Sequence, residues 1–301
     1  IGKQGTSDLV SYNLAADGDV ALSCPNGMAV IDDNLYIADT CNHRVVRVSD
    51  VTNATLHNCT GATWKSGKCS FDRVLGQLDL FTNNSLLDEY DAGNFAYDEI
   101  GDEITGDTSL TRRYFANPTR LLVDESALVV VSNENFSRAV AFGNLQLYSR
   151  IMVFNTSPIE GTFPACTNLT FTAGGCDANF VIGQRDWDKM SVIPSGMQYE
   201  DNNYALKWIS GLETYGTYLF LTDYETNEVI IYDDYSSASN GQLPHTRAPN
   251  PLGVFDSSRN RALPNLEGLT DLKYNDSTGN LHFYDGGGSS VYQLNIVDFS
   301  Y

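Results

Sequence analysis

The chain has 301 residues, 42% of them hydrophobic, which is enough for one large all-β domain or two ordinary ones and too apolar for global disorder. Eighteen basic residues against 38 acidic ones leave a formal charge of −20. A field of that sign repels phosphate backbones, which argues against nucleic acid and anionic membrane surfaces as partners and favours divalent cations or basic ones. No apolar run approaches the ~20 residues of a membrane helix, so no membrane insertion is expected. The start at Ile1-Gly2-Lys3-Gln4 shows neither a methionine nor a signal-peptide pattern, the expectation for a mature or excised chain.

From the N-terminus, the first clear unit is a three-strand meander: Pro25-Asn26-Gly27-Met28-Ala29-Val30-Ile31-Asp32, Asn34-Leu35-Tyr36-Ile37-Ala38-Asp39 and Asn42-His43-Arg44-Val45-Val46-Arg47-Val48. Each run is β-branched or aromatic and is bounded by Asp, Asn and Thr turn residues, the pattern of short strands. A further short strand follows at Val74-Leu75-Gly76-Gln77. Residues 78–117 then break the pattern, with Asp88, Glu89, Asp91, Asp98, Glu99, Asp102, Glu103 and Asp107 set among glycines. Such a stretch is an acidic surface lobe, a calcium-binding excursion, a contact arm for another subunit or a solvated loop.

The meander then returns three times. The second copy is Pro118-Thr119-Arg120-Leu121-Leu122-Val123-Asp124, Ala127-Leu128-Val129-Val130-Val131-Ser132 and Arg150-Ile151-Met152-Val153-Phe154, with residues 138–149 inserted before its third strand; Val181-Ile182-Gly183-Gln184 follows. The third is Lys207-Trp208-Ile209-Ser210-Gly211-Leu212, Tyr218-Leu219-Phe220-Leu221-Thr222-Asp223 and Glu228-Val229-Ile230-Ile231-Tyr232, followed by the weaker Leu252-Gly253-Val254-Phe255. The fourth is Gly268-Leu269-Thr270-Asp271-Leu272-Lys273-Tyr274, Asn280-Leu281-His282-Phe283-Tyr284-Asp285 and Ser290-Val291-Tyr292-Gln293-Leu294.

Each glycine-containing short strand is expected at the outer edge of the meander before it. Ile1-Gly2-Lys3-Gln4 resembles the same element and has no meander before it, so it is expected to pair with the last one, closing a ring and covering the open edges. The expected fold is all-β: a β-propeller of four four-stranded antiparallel blades in a single domain, 1–301. Its closing strand is 1–5, its blade units are 24–77, 115–184, 204–255 and 266–301, and an acidic insert occupies 78–114.

Pro-x-Gly-Met-Ala-Val-x-Asp at 25–32, Leu-Tyr-Ile-Ala-Asp-Thr at 35–40 and Asn-His-Arg-Val-Val at 42–46 resemble an NHL repeat, a propeller-blade motif. The Val-Leu-Gly-Gln strand is similar to the end of NHL repeats in extracytoplasmic proteins. The first copy carries the match; the others keep the strand spacing and lose the Asn-His-Arg signature. The resemblance implies blades around a central axis with the first strand of each meander innermost, commonly six of them where four are counted here.

Six cysteines bear on compartment. Cys59 and Cys69 precede the first Gly-Gln strand as Cys166 and Cys176 precede the second: 166 − 59, 176 − 69 and 183 − 76 each give 107. Each pair would staple a short loop, leaving Cys24 and Cys41 as the third bridge. An even count with repeated spacing is a disulfide framework and implies an oxidising compartment; the wide separation, with no histidine beside either pair, is unlike a zinc site. Sequons at Asn53, Asn58, Asn83, Asn135, Asn155, Asn168 and Asn275 agree, and they imply N-linked glycans on a secreted chain.

Catalytic constellations are sparse. His43, His57, His245 and His282 sit in turns, loops or a second strand, an arrangement that supports no three-ligand zinc site. No nucleophile elbow or Walker motif occurs, and Gly286-Gly287-Gly288 enters a strand rather than a helix, so it reads as a turn. Asp39 and Asp223 fall at equivalent strand ends; they are expected to cap turns through their own downstream amides, in preference to facing a bound calcium. No cofactor is implied beyond calcium as the one cation the acidic loops could take. The expectation is a non-catalytic extracellular binding or assembly module with a protein partner or a second copy of itself. The alternative is a secreted, metal-dependent propeller lyase or hydrolase, which rests on fold analogy.

Overall fold

The computed structural model describes residues 22–52, 71, 73–77, 93, 95–97, 104–106, 112–124, 127–132, 146–147, 149–155, 177–183, 192–193, 206, 208–224, 228–232, 235, 246–249, 269–286 and 290–295. The protein is all-β, built of small sheets, and divides into two compact units: Ile1–Asp98 with Glu103–Glu134 and Ile151–Phe180, and Glu99–Asp102 with Asn135–Arg150 and Val181–Tyr301.

In the first unit, strands β1 (Pro25–Ile31), β2 (Asn34–Asp39), β3 (Arg44–Val48) and β4 (Arg73–Leu75) form one antiparallel sheet in chain order. The Val74-Leu75 strand thus lies at the sheet's outer edge, as its repetition implied. β3 is buried throughout and β2 over its last four residues, whereas β1 alternates. Ile37, Val46, Val48, Phe71 and Val74 make one core cluster of this unit. The stretch after β4 is not all loop: β5 (Phe95–Tyr97) pairs antiparallel with β6 (Ile104–Gly106). The eight acidic residues of that stretch lie outside the described residues.

The second sheet has the order β7-β8-β10-β11, from β7 (Pro118–Asp124), β8 (Ala127–Ser132), β10 (Arg150–Asn155) and β11 (Phe180–Ile182). The insertion before β10 contains β9 (Gln146–Leu147), which pairs with β12 (Val192–Ile193), a contact no local pattern announced.

In the second unit, β13 (Ile209–Tyr215), β14 (Tyr218–Asp223), β15 (Glu228–Tyr232) and β16 (Thr246–Pro249) form a sheet in chain order. Its fourth strand is Thr246–Pro249, not the expected residues 252–255, which lie outside the described residues. Pro249 lacks a backbone donor and fits an edge strand, where the outward side of the ladder needs none. A last sheet holds β17 (Leu269–Asn275), β18 (Asn280–Asp285) and β19 (Ser290–Asn295), three strands among the described residues. Residues 1–5, the expected closing strand, lie outside them. Leu269, Leu272, Leu281 and Phe283 pack against Phe220, Val229 and Ile231, joining the last two sheets through a shared apolar face.

One irregularity recurs at the start of the first strand of each of the four larger sheets. The register slips between Pro25 and Met28, Pro118 and Arg120, Ile209 and Gly211, and Leu269 and Asp271. A bulge here bends the first strand and raises its twist. The third residue of these strands is Gly27, Arg120, Gly211 and Asp271 in turn. At the two glycines a neighbouring backbone fills the space of a side chain: a Cβ on Gly27 would lie 2.7 Å from the Thr119 carbonyl oxygen, and one on Gly211 would lie 2.8 Å from the Leu272 nitrogen. β1 thus meets β7, and β13 meets β17, main chain to main chain. A hydroxyl latches each junction at the same acceptor position: Thr40 Oγ1 donates to the Pro118 carbonyl at 2.6 Å, and Ser210 Oγ donates to the Leu269 carbonyl at 2.5 Å.

The Gly-Gln element has a matching logic. Gly76 (φ +87°) and Gly183 (φ +94°) adopt a backbone that favours glycine, and a Cβ would strike the Phe115 ring in one case and Leu206 in the other. Phe115 and Leu206 each precede the first strand of the next sheet by three residues, so the glycine lets the chain dock the start of that sheet.

Candidate functional site

The sharpest sequence motif builds a buried polar cluster. Asp39 is fully buried at the end of β2; its Oδ1 accepts the Ser23 N–H at 2.5 Å, and its Oδ2 accepts from Asn42 Nδ2 at 2.8 Å and Arg44 Nε at 2.7 Å. His43, between them, takes a left-handed conformation (φ 51°, ψ 38°) that closes the turn. The Arg44 guanidinium also stands 5.9 Å from the centroid of the Phe71 ring. Within the Asn-His-Arg signature, Asn42 and Arg44 are donors that allow an aspartate to be buried, and His43 supplies the turn that sets them.

Asp223 works in the same way: its Oδ1 accepts the Trp208 N–H at 3.2 Å, and the Trp208 carbonyl accepts the Tyr224 N–H. Ser23 shows the same reciprocity, its carbonyl accepting from Cys41 N. Both aspartates clamp the chain just ahead of the first strand of their sheet, and Asp39 does so without the expected capping of the downstream turn through its side chain. The physical reason is pairing across the hairpin, which sets the end of the second strand beside the approach to the first.

Cys24 and Cys41 are joined, with Cα atoms 5.4 Å apart, so the disulfide closes the same hairpin. Cys59, Cys69, Cys166 and Cys176 lie outside the described residues. So do Asn53, Asn58, Asn83, Asn135 and Asn168, together with His57 and His245. Asn155 is exposed at the end of β10, and its N–H is held by Asn179 Oδ1 at 2.8 Å. Asn275 ends β17 at an exposed hairpin turn. His43 and His282 belong to different units. Among the described residues no three His, Cys, Asp or Glu side chains could hold a metal ion, and no helix is long and apolar enough to cross a membrane.

A cleft in the last sheet was not foreseen. It holds about 360 Å³ between β17 and β18, with Lys273, Asn275, Asp276, Ser277, His282 and Tyr284 on its walls. The register explains the convergence: Asp271 faces Tyr284, Lys273 faces His282 and Asn275 faces Asn280, all on the sheet side opposite Leu272, Leu281 and Phe283. Alternation of polar and apolar residues along both strands was the available signal. Lys273 Nζ donates to Glu213 Oε2 at 2.5 Å, and the Tyr274 ring stacks obliquely on Tyr215 with centroids 4.3 Å apart. Burial, aided by its hydrogen bond with Tyr215 and by the nearby negative charge of Asp276, pushes the Tyr274 phenol up to about 12. His282 Nε2 is buried in the wall without a protein hydrogen-bond partner.

A second feature is apolar. On β1, Met28 is 67% exposed and Val30 54%, two large side chains on the same side of one strand.

Residues 22–47 match the NHL repeat. No curated protein matches the chain. Among solved structures the chain is similar to a computationally designed protein, Ika8 (10% identity, TM-score 0.37, 92% of this chain and 48% of that one). It is also similar to a chain of a nidogen/laminin complex (14%, TM-score 0.39, 91% and 61%). A third likeness is to the β-propeller domain of Myceliophteria thermophila Cps50 (Swd1) (8%, TM-score 0.40, 98% and 58%). The chain thus spans about half the length of the first of these and about three-fifths of the other two.

Proposed function

We propose that this chain, which carries an NHL repeat in its first sheet, is a secreted and glycosylated β-propeller of four blades that serves as a non-catalytic binding or assembly module. The observation that carries the binding role is the exposed pair Met28 and Val30. Large apolar side chains side by side on a strand cost solubility when left in water and favour a protein surface that covers them. The partner is a protein, a second copy of this chain included. The Cys24–Cys41 bridge supports an oxidising compartment, because such bonds persist outside the reducing cytosol. Closure by residues 1–5 along β19 would add a fourth strand to the last sheet, whose described strands are β17, β18 and β19.

The test is sedimentation velocity over a range of concentrations on chain secreted from eukaryotic cells, beside a Met28→Glu/Val30→Glu variant. A shift toward larger species with concentration, lost in the variant, supports assembly through this strand. A wild-type chain that stays monomeric throughout excludes self-assembly and leaves only a different protein as partner.

A further inference from the structure

We propose that Asn275 is an N-glycan acceptor set up by its own hairpin turn, and that the first sugar of that glycan lies in the cleft lined by Lys273, His282 and Tyr284. The inference rests on the secreted, glycosylated reading above and assigns one attachment site and its seat.

The turn itself points to the acceptor. Asn275 Oδ1 accepts the Ser277 N–H at 3.0 Å and the Ser277 hydroxyl at 2.7 Å, while the Asn275 carbonyl accepts from Thr278 N at 3.1 Å and Gly279 N at 2.9 Å. Gly279, at φ +70°, lets the chain turn back into β18. Asn275-Asp276-Ser277 is a sequon in which the serine hydroxyl is bonded to the oxygen of the very amide to be modified. That bond fixes the carboxamide rotamer and draws electron density toward Oδ1, which makes the Nδ2 protons easier to lose. All these contacts lie within five residues of chain, so they form as the hairpin forms and need no completed fold. In the transfer, Nδ2 bonds to the anomeric carbon of a lipid-diphosphate-linked oligosaccharide. The bond from that carbon to the diphosphate oxygen breaks, the lipid diphosphate leaves with the electron pair, and one amide proton passes to a base of the transferase.

The cleft beside the turn suits a neutral polyhydroxyl ring. Its volume of about 360 Å³ falls in the range of small-ligand sites, roughly 300–1,000 Å³. Tyr284, 40% exposed, offers an apolar ring face, and the partly exposed His282 side chain lines the same wall. Lys273 and Asp276 bring both signs of charge to the same rim, which suits hydroxyls better than an ion of either sign. Asn275 is itself a wall of the cleft, so the attached sugar starts there without any diffusional search.

The experiment is glycopeptide mass spectrometry on the secreted chain, before and after treatment of the native protein with an endoglycosidase that cuts within the glycan core. We expect Asn275 to be occupied, with Ser277→Ala abolishing and Ser277→Thr retaining the modification. Native trimming at Asn275 should run about tenfold slower than at the other occupied sequons, as a seated state favoured by ~1.4 kcal/mol would give. Denaturation or Tyr284→Ala should remove the difference, and Tyr284→Phe should keep it. A bare Asn275 on a chain glycosylated elsewhere overturns the assignment while leaving the secreted reading intact. An occupied Asn275 trimmed as fast as the rest overturns the seat. A chain retained in the cell with no sequon occupied overturns the secreted reading and this inference together.

Discussion

At Gly27 and Gly211 the backbone of a neighbouring strand occupies the volume a methyl group would need. Alanine at either position should cost ~1–3 kcal/mol of unfolding free energy, the penalty of overpacking against main chain that cannot rotate away. Urea denaturation of each variant reads this directly, with the exposed Met28→Ala as a control expected within ~0.5 kcal/mol of the parent. Asp39 makes the opposite case, where the side chain is indispensable because its partners are already buried. Asp39→Ala would remove the buried carboxylate paired with the Arg44 guanidinium, itself only 2% exposed, and should cost about 3–5 kcal/mol in the same assay. Tyr274 gives a pH signature. Its phenol is raised from 10.0 to about 12, so the neutral form is favoured in the fold. The associated stability is complete below pH 10 and is lost as pH climbs through 12. The ultraviolet difference titration between the parent and Tyr274→Phe should therefore show a midpoint near 12, not at the ordinary phenol value.

At the scale of elements, the hairpin is the unit that repeats. Each pairs a bulged first strand with a second strand, and two of them have an aspartate that clamps the approaching chain. The first hairpin adds a covalent closure, Cys24–Cys41, with 17 residues of separation. Closing a loop of that size restricts the unfolded chain and contributes roughly 3 kcal/mol. Cys24→Ser/Cys41→Ser should lower the denaturation midpoint accordingly, and a reductant should do the same to the parent without affecting the variant through this bond. A midpoint unmoved by the double substitution would show that the Asp39 cluster alone holds the hairpin.

For the whole molecule, the end of the last sheet is where closure matters. Three strands are described there, and β19 presents Val291 at 58% exposure. A strand edge that is left uncovered templates association with other chains. If residues 1–5 pair along β19, their deletion should lower the unfolding midpoint and raise light scattering with concentration, whereas an unchanged midpoint would break the closure proposal. The two kinds of first strand matter here as well. Gly27 and Gly211 permit main-chain approach, while the equivalent positions in the other two first strands are Arg120 and Asp271, whose side chains need room. A uniform repeat would have the same residue at all four positions.

Strand positions were legible because their causes are local. Tyr218-Leu219-Phe220-Leu221-Thr222-Asp223 and Asn280 through Asp285 are apolar runs between turn residues, and they became β14 and β18 at the expected places. The outer strands β4 and β11 were visible through the repeated Gly-Gln, since a left-handed glycine leaves a residue-level mark. Residues 252–255 misled because a weak apolar run says nothing about which segment reaches the edge of β15; Thr246–Pro249 does so. One partner of Asp39, the Ser23 N–H, is 16 residues upstream, and the backbone that demands Gly27 belongs to a strand beginning at Pro118. The cleft needs Lys273 and His282 on one side of a sheet whose other side is core. By itself the sequence determined the three-strand meanders and the Gly-Gln strands, through turn chemistry and alternation within a few residues. Only the tertiary structure decided which strand abuts which, where glycine is compulsory and where polar side chains converge, because those depend on distances between residues that the chain order keeps apart.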